Sequence, residues 1–348
     1  MEILGTAQAD PGLTKADSIG RTVDGQDILA LKPTRNARTS QDGSKPSVLY
    51  LSGRYAREWI TPETTRRLMH CYLDHYRTDR RIRKIVDSTG LWFVLSADPD
   101  GYDYTFKSPG TRMRRKNFPY KWGYDDEGSS PDPASGTCRG ASPESESGTR
   151  ALDDFEKRVG FRCAVNYHSA AELLLYGVGR QVATPTPDDV LCKALAGTPG
   201  DPAAPGHRSQ LSSELCTTNG EADRRASNVN GVAMFTPEMS TCRTASGVDP
   251  NDAWKPEDCP SVFGFPDDEK LIQWEFARNV PFALSVAETA VHPGRPSSAV
   301  GLSAADYTPA AFPTSYSRGA DQEVSVVVRK ALRDKELRYR VDGGEDDL

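Results

Sequence analysis

Three polar side chains close apolar runs in this chain: Glu58 follows "VLYLSGRYAR", His168 ends "FRCAVNYH", and Glu238 ends "GVAMFTPE". A fourth group, Arg112, Arg114, Arg115 and Lys116, concentrates positive charge within "RMRRK". Carboxylates, an imidazole and guanidinium groups are the tools of proton transfer, metal ligation and oxyanion stabilisation. Each also has a plainer reading. A histidine at a strand end is commonly structural, a lone glutamate is commonly solvated, and a basic run is commonly a hydrated surface. Glu238 departs from this, because an unpaired carboxylate after an apolar strand is costly. His70 and His75 lie five apart on a predicted helix, do not share a face, and read as structural.

The elements that must position these groups alternate between strands and helices. Residues 22–32 read as a hairpin turning at Asp24-Gly25, and "PSVLYLSG" (46–53) as a buried strand. A helix is expected from Thr61, with Thr61 as N-cap and Pro62 at its first position. "GLWFVLSADPDGY" (90–102) reads as a strand entering a Pro-Asp-Gly turn, "RALDDFEKRV" as a helix, and "FRCAVNYHS" as a strand running to His168. A strand over 231–240 carries Glu238 near its end, and the segment beginning "DDEKLIQWEF" continues as a long helix. Polar residues collected at strand ends predict an α/β sheet with a site along one edge. Residues 1–292 are expected to form this domain, 293–302 a linker, and 303–348, with "EVSVVVRK" and "ELRYRVDGG", a truncated β-rich extension.

Seven motifs occur in a diagnostic order: "YAREWITPE", "ADPDGYDYTF", "RMRRKN", "FPYKWGYDDEGSSPDPAS", "NYHSAAELLLY", "TTNGEAD" and "FTPEMSTC". Over about residues 10 to 290 the chain therefore resembles the zinc metallocarboxypeptidases of the carboxypeptidase A/T type, particularly their secreted actinobacterial branch. The resemblance implies a mixed, twisted sheet between helices, with zinc at strand ends. It also implies a monomer that removes the C-terminal residue of peptides or proteins. Carried over by position, it makes Glu58 and His168 zinc ligands and Glu238 the base that takes the proton from zinc-bound water. Arg115 falls on the oxyanion-stabilising arginine and Arg57 on a substrate-contacting one. Asp223 falls in the pocket for the substrate side chain, where an acid resembles members preferring basic residues.

Departures from the family pattern fall at the chemistry itself. The remaining zinc histidine is replaced by Tyr55, whose phenol, with a pKa near ~10, is a poor neutral ligand. Lys116-Asn117 runs straight into Phe118, so the segment carrying the family's Asn-Arg clamp for the substrate carboxylate has no counterpart. Cys216 stands where the family has a mobile, substrate-covering tyrosine. Arg114 and Arg180 replace tryptophans, and Cys138 a tyrosine. Together these changes fit relaxed constraint: a carboxypeptidase by descent with impaired hydrolysis or, alternatively, an inactive pseudopeptidase that binds peptides or a decaying remnant.

Composition narrows the partners. Net charge is −6, from 43 basic and 49 acidic residues, without a long block of one sign, which favours neither nucleic acid nor an anionic membrane. No apolar run approaches the ~20 residues of a membrane span. The first residues, "MEILGTAQADPGL", show neither the basic nor the apolar region of a secretory signal, so the compartment stays open. Seven cysteines form no Cys-x-x-Cys pair, and Cys242 and Cys259 bracket a polar loop suited to a local disulfide.

Overall fold

In this computed structural model residues 2–115, 146–177, 188–215, 231–303, 307–309 and 326–328 are described. Helix α1 (Glu2–Ala9) leads into an antiparallel hairpin of β1 (Thr14–Arg21) and β2 (Asp27–Pro33). The expected turn at Asp24-Gly25 is present, and the first strand begins well before residue 22.

The sheet is assembled from β3 (Ser47–Leu51), β4 (Gly90–Val94), β5 (Phe161–Asn166), the two-residue β6 (His168–Ser169) and β7 (Leu173–Tyr176). A separate small pair, β8 (Gly197–Thr198) and β9 (Asp201–Pro202), precedes β10 (Arg208–Leu211) and β11 (Ala233–Met239). Among the described residues nine strands share one sheet in the order β1-β2-β4-β3-β5-β11-β7-β10, with β6 paired to β11. Its centre is parallel, while β2–β4 and β11–β7 are antiparallel, so the sheet is mixed.

Alternation sorts the central strands between two cores. Val48 and Tyr50 of β3 face the helices α2 (Ile60–Asp74), α3 (Arg80–Ser88) and α8 (Glu269–Val291), packing with Leu68, Tyr72 and Phe282. Leu49 and Leu51 face the other way, joining Trp92 and the Phe155 side of α5 (Ser147–Val159). The Tyr50 hydroxyl stays satisfied in its core, at 2.9 Å from the Tyr72 hydroxyl and 2.8 Å from the Ala283 carbonyl. Gly160 ends α5 in a left-handed conformation (φ 67°), the role for which glycine has no Cβ penalty.

Three expectations of local structure change. Helix α2 starts one residue before Thr61, with Trp59 as its N-cap and no side-chain capping bond. The Thr61 hydroxyl instead donates to the Glu58 carbonyl at 3.0 Å and accepts from Gly53 N–H at 3.2 Å, tying the helix to the preceding loop. The Pro-Asp-Gly segment opens a short helix, α4 (Pro99–Tyr104), because the Asp98 carboxylate accepts the Gly101 N–H at 3.0 Å and caps it. The strand expected through His168 breaks at Tyr167, so His168 lies in β6.

The chain also holds α6 (Asp189–Ala196) and α7 (Cys242–Ser246). Cys242 and Cys259 form the expected disulfide, with Cα atoms 5.8 Å apart. β12 (Tyr307–Pro309) and β13 (Val326–Val328) pair antiparallel within the β-rich extension, and "ELRYRVDGG" lies outside the described residues. No described helix is long and apolar enough to cross a membrane.

Candidate active site

Gly53 makes the turn that brings the "RYAREW" segment across the end of the sheet. Its φ is +62°, and a Cβ there would stand 2.9 Å from Ser96 Cα, so glycine is needed for both conformation and space. Beyond it, Ala56 N–H donates to the Arg115 carbonyl at 2.9 Å, which lays the basic segment beside Tyr55–Glu58. His168 and Glu238 are register partners on β6 and β11. Glu58, His168, Glu238, Tyr55, Arg57 and Arg115 thus meet at one end of the sheet.

Glu58 and His168 form its centre. Glu58 Oε2 lies 3.1 Å from His168 Nδ1 and accepts the Ser169 N–H at 3.2 Å. Burial pushes the Glu58 carboxyl up to about 8, against the opposing pull of the Ser169 N–H, Arg115 and Arg57. On the far side of the imidazole, Asn166 Nδ2 lies 3.0 Å from Nε2, while Asn166 Oδ1 is buried without a partner among the described residues. In that arrangement Asn166 donates to Nε2, and Nδ1 carries the proton toward Glu58. A half-turn of the amide would let Oδ1 accept from Nε2–H and leave the Nδ1 lone pair facing Glu58, as metal ligation requires.

Tyr55 and the arginines surround this pair. The Tyr55 ring meets the His168 ring edge-on, with centroids 4.9 Å apart, and the Arg115 guanidinium lies 4.0 Å above the Tyr55 ring. Arg57 is 3.6 Å from the Phe263 ring centroid. Burial, then the neighbouring Arg115, lowers the Arg57 pKa, while Glu58, Tyr55 and Glu238 work in the opposite direction. Arg112 lies 3.5 Å over the Trp59 ring and donates to the Arg57 carbonyl at 2.8 Å and the Phe263 carbonyl at 3.4 Å.

The donor set can be tested against zinc. Two ligands each ~2.0–2.1 Å from a tetrahedral zinc stand about 3.3 Å apart. The Glu58–His168 separation of 3.1 Å is close to that edge, so two corners fit. The third corner would have to come from Tyr55, a phenol that binds metal well only once deprotonated, and one whose ring is packed between the His168 ring and the Arg115 guanidinium. Among the described residues no group of three His, Cys, Asp or Glu side chains is arranged to hold a metal. The described residues therefore do not fit the three-ligand set of a catalytic zinc.

Cys216 and Asp223 lie outside the described residues, as do Asn117 and Phe118, where the Asn-Arg clamp has no counterpart, and Cys138 and Arg180. Sequence reasoning missed Asn166, Phe263 and Trp59 as parts of the site, and singled out Arg112 only as one of a basic cluster. Asn166 had a usable signal, two residues before His168 in the same apolar run. Phe263 had none, because its loop reaches Arg57 only in the folded chain.

Comparison with known proteins bears on this arrangement. Residues 2–259 match the family described as zinc carboxypeptidase. An inactive metallocarboxypeptidase of Arthroderma otae is 29% identical over 191 residues, covering 48% of this chain and 32% of that protein. Mouse carboxypeptidase A4 is 28% identical over 186 residues, covering 49% of this chain and 43% of its own. The chain thus spans less than half the length of these two curated relatives. Bovine thrombin-activatable fibrinolysis inhibitor, solved with a tick carboxypeptidase inhibitor, shares the fold with a TM-score of 0.66 at 18% identity, over 84% of this chain and 95% of that one. With the family matched across most of its length and the motif residues gathered at one sheet end, this chain belongs to the zinc carboxypeptidase family.

Proposed function

We propose that this chain receives the C-terminus of a peptide or protein at the Glu58–His168–Glu238 end of its sheet and that zinc-dependent hydrolysis there is impaired. The observation that carries this reading is the Tyr55 ring, packed on His168 and covered by Arg115, at the position where the family places its third zinc ligand. At most one zinc binds per chain, weakly, because the two remaining ligands lack the third that a closed donor set needs. Glu238 keeps the position of a general base, paired in register with His168, and Arg57 and Arg115 supply positive charge for a bound carboxylate. A monomer suffices, since one chain contributes all of these groups. The −6 net charge supports neither nucleic acid nor an anionic membrane as partner.

The test is a pair of measurements on the full chain with zinc supplied. N-blocked dipeptides ending in Leu, Phe, Lys or Arg are assayed for release of the last residue, with Glu238→Gln as the blank. Binding of the same peptides is compared with that of their C-terminal amides. The expected result is carboxylate-dependent binding with turnover no higher than the Glu238→Gln blank. Tight zinc at one per chain, with turnover abolished by Glu238→Gln, would restore the reading of a working carboxypeptidase.

A further inference from the structure

The rim beside this site carries positive charge that the described fold does not neutralise. Arg57, Arg112 and Arg115 form no ion pair with a carboxylate among the described residues, and what holds them is aromatic faces and carbonyl oxygens. Arg57 lies on Phe263, Arg112 on Trp59 and Arg115 on Tyr55. Stacking of this kind occupies one face of a guanidinium and leaves N–H groups on its edge to donate. Arg57 Nε is buried with no hydrogen-bond partner among the described residues, an unmet donor of the sort that a bound acceptor would satisfy.

Exposed apolar side chains continue the same surface. Phe106, 56% exposed, stacks on the Trp59 ring at 4.2 Å, on the ladder that ends at Arg112. Met113 and Val262 are also exposed. The Ser261 hydroxyl reaches Met113 Sδ at 3.5 Å, which joins the two loops that carry them. Cationic edges and apolar side chains thus share one rim, on a protein whose overall charge is −6.

We propose that Arg57, Arg112 and Arg115, with Phe106, Met113 and Val262, form a docking surface for an acidic peptide segment that bears an apolar residue. This inference rests on the reading of the site as a receiver of peptide C-termini, and it places the acidic segment upstream of the terminus. Charge complementarity selects the occupant. Arg57 and Arg115, without a carboxylate ion pair among the described residues, are near enough to repel each other, and a partner carrying carboxylates relieves that repulsion while meeting the N–H groups of the rim. A basic or neutral segment does neither. Because the guanidiniums are held on rings before the partner arrives, less side-chain freedom is lost on binding.

The experiment uses the intact protein with a chelator present, so that metal plays no part. Three fluorescein-labelled heptapeptides share a central Phe and a C-terminal Leu and differ only in their remaining residues: Asp/Glu, Asn/Gln, or Lys/Arg. Each is made as free acid and as amide, and binding is read by fluorescence anisotropy. The acidic peptide is expected to bind about tenfold or more tighter than the neutral one, an advantage that shrinks as salt rises from ~50 to ~300 mM. Arg115→Gln and Arg57→Gln are each expected to cut that advantage several-fold, read as the ratio of acidic to neutral affinity among the amides, where no terminal carboxylate competes for the same guanidiniums. These two variants are preferred to Arg112→Gln, which also breaks the bonds joining the loops.

Equal affinity for acidic and neutral peptides overturns the inference, as does an acidic preference that survives in both variants. Tighter binding of a labelled oligothymidylate of matched charge also overturns it, in favour of a nucleic-acid surface. If the acidic preference persists but acid and amide bind alike, the C-terminus reading fails and the docking surface stands. If acid and amide differ but charge makes no difference, the docking surface fails alone.

Discussion

On the helical flank of this protein arginines meet carboxylates, whereas at the sheet end Arg57, Arg112 and Arg115 form no ion pair with a carboxylate among the described residues. Arg66 and Arg67 of α2 share Glu63 at 2.8 and 2.7 Å, Arg67 also reaches Glu269 of α8 at 2.6 Å, and Arg81 of α3 reaches Glu288 of α8 at 2.8 Å. These pairs stitch three helices together. For Glu63, burial raises the carboxyl's pKa, but the hydrogen bonds and charges of Arg66 and Arg67 more than reverse it, leaving it lowered. At the sheet end the signs separate. Burial pushes Glu58 and Asp98 up to about 8, while Arg57, Arg112 and Arg115 lie on aromatic rings. The difference teaches that charge on the flank is spent on folding, whereas at the site the buried carboxyls and the ring-stacked guanidiniums are not joined in ion pairs among the described residues. Segregated charges cost stability, and such costs are concentrated at functional sites.

The comparison is sharpened most by completing the metal site. Tyr55→His supplies a third neutral ligand beside Glu58 and His168 and removes the ring on which Arg115 rests. Zinc affinity in a chelator-competition titration is expected to rise by orders of magnitude over the parent. Added zinc should raise the melting temperature of the variant far more than that of the parent. If both forms bind zinc alike, the account of Tyr55 as the missing corner is wrong.

Asp98 tests the buried, unneutralised side of the contrast. Burial raises its pKa most, Asp100 adds to this, and the Gly101 N–H and Arg114 oppose it. The folded-state value of about 8 exceeds the ordinary aspartate value of 3.8, so ionisation costs folding energy that begins near pH 4 and grows until about pH 8. Asp98→Asn keeps an oxygen for the Gly101 N–H and removes that cost. It is expected to stabilise the fold by about 1–3 kcal/mol at pH 8 and by nothing at pH 4, read from denaturant melts at both values. Equal stabilisation at both pH values would show that the carboxylate is not the cause.

The flank gives the smallest effect and the opposite sign. Glu63→Gln removes a carboxylate whose folded-state pKa is depressed, so its contribution is present above the ordinary glutamate range and is lost as pH falls through it. A loss of about 1 kcal/mol at pH 7 is expected, a shift of ~2 °C in melting temperature that vanishes toward pH 3. Peptide binding should be unchanged. A change in binding would break the division between flank and site.

Much of the fold was legible in the sequence because its signals are local. Apolar runs of strand length marked β3, β4, β5 and β11, the acids of "DDE" marked the start of α8 (where Asp268 is the cap), and two cysteines around one polar loop marked the disulfide. Where competing local chemistry decided the outcome, the reading slipped. Thr61 and the Pro-Asp-Gly segment have the residues of a cap and a turn, but the Thr61 hydroxyl bonds back to Glu58, and Asp98 caps a helix. β7 and β10 are four residues each and too short for periodicity to distinguish.

The sequence by itself determined which chemical groups this protein has for its site: the Glu58 carboxylate and His168 imidazole, a second carboxylate at a strand end, and a phenol at Tyr55, where the family resemblance implies an imidazole. Residue identity is enough for that, because pKa and ligand strength are first properties of the side chain. Only the tertiary structure decided how those groups are partnered. The pairing of His168 with Glu238 depends on strand register, and the resting of Arg57 on Phe263 depends on a loop far along the chain. Such contacts arise from long-range packing, which no local pattern encodes, and they set the burial that moves Glu58 and the ring-stacked positions of the guanidiniums.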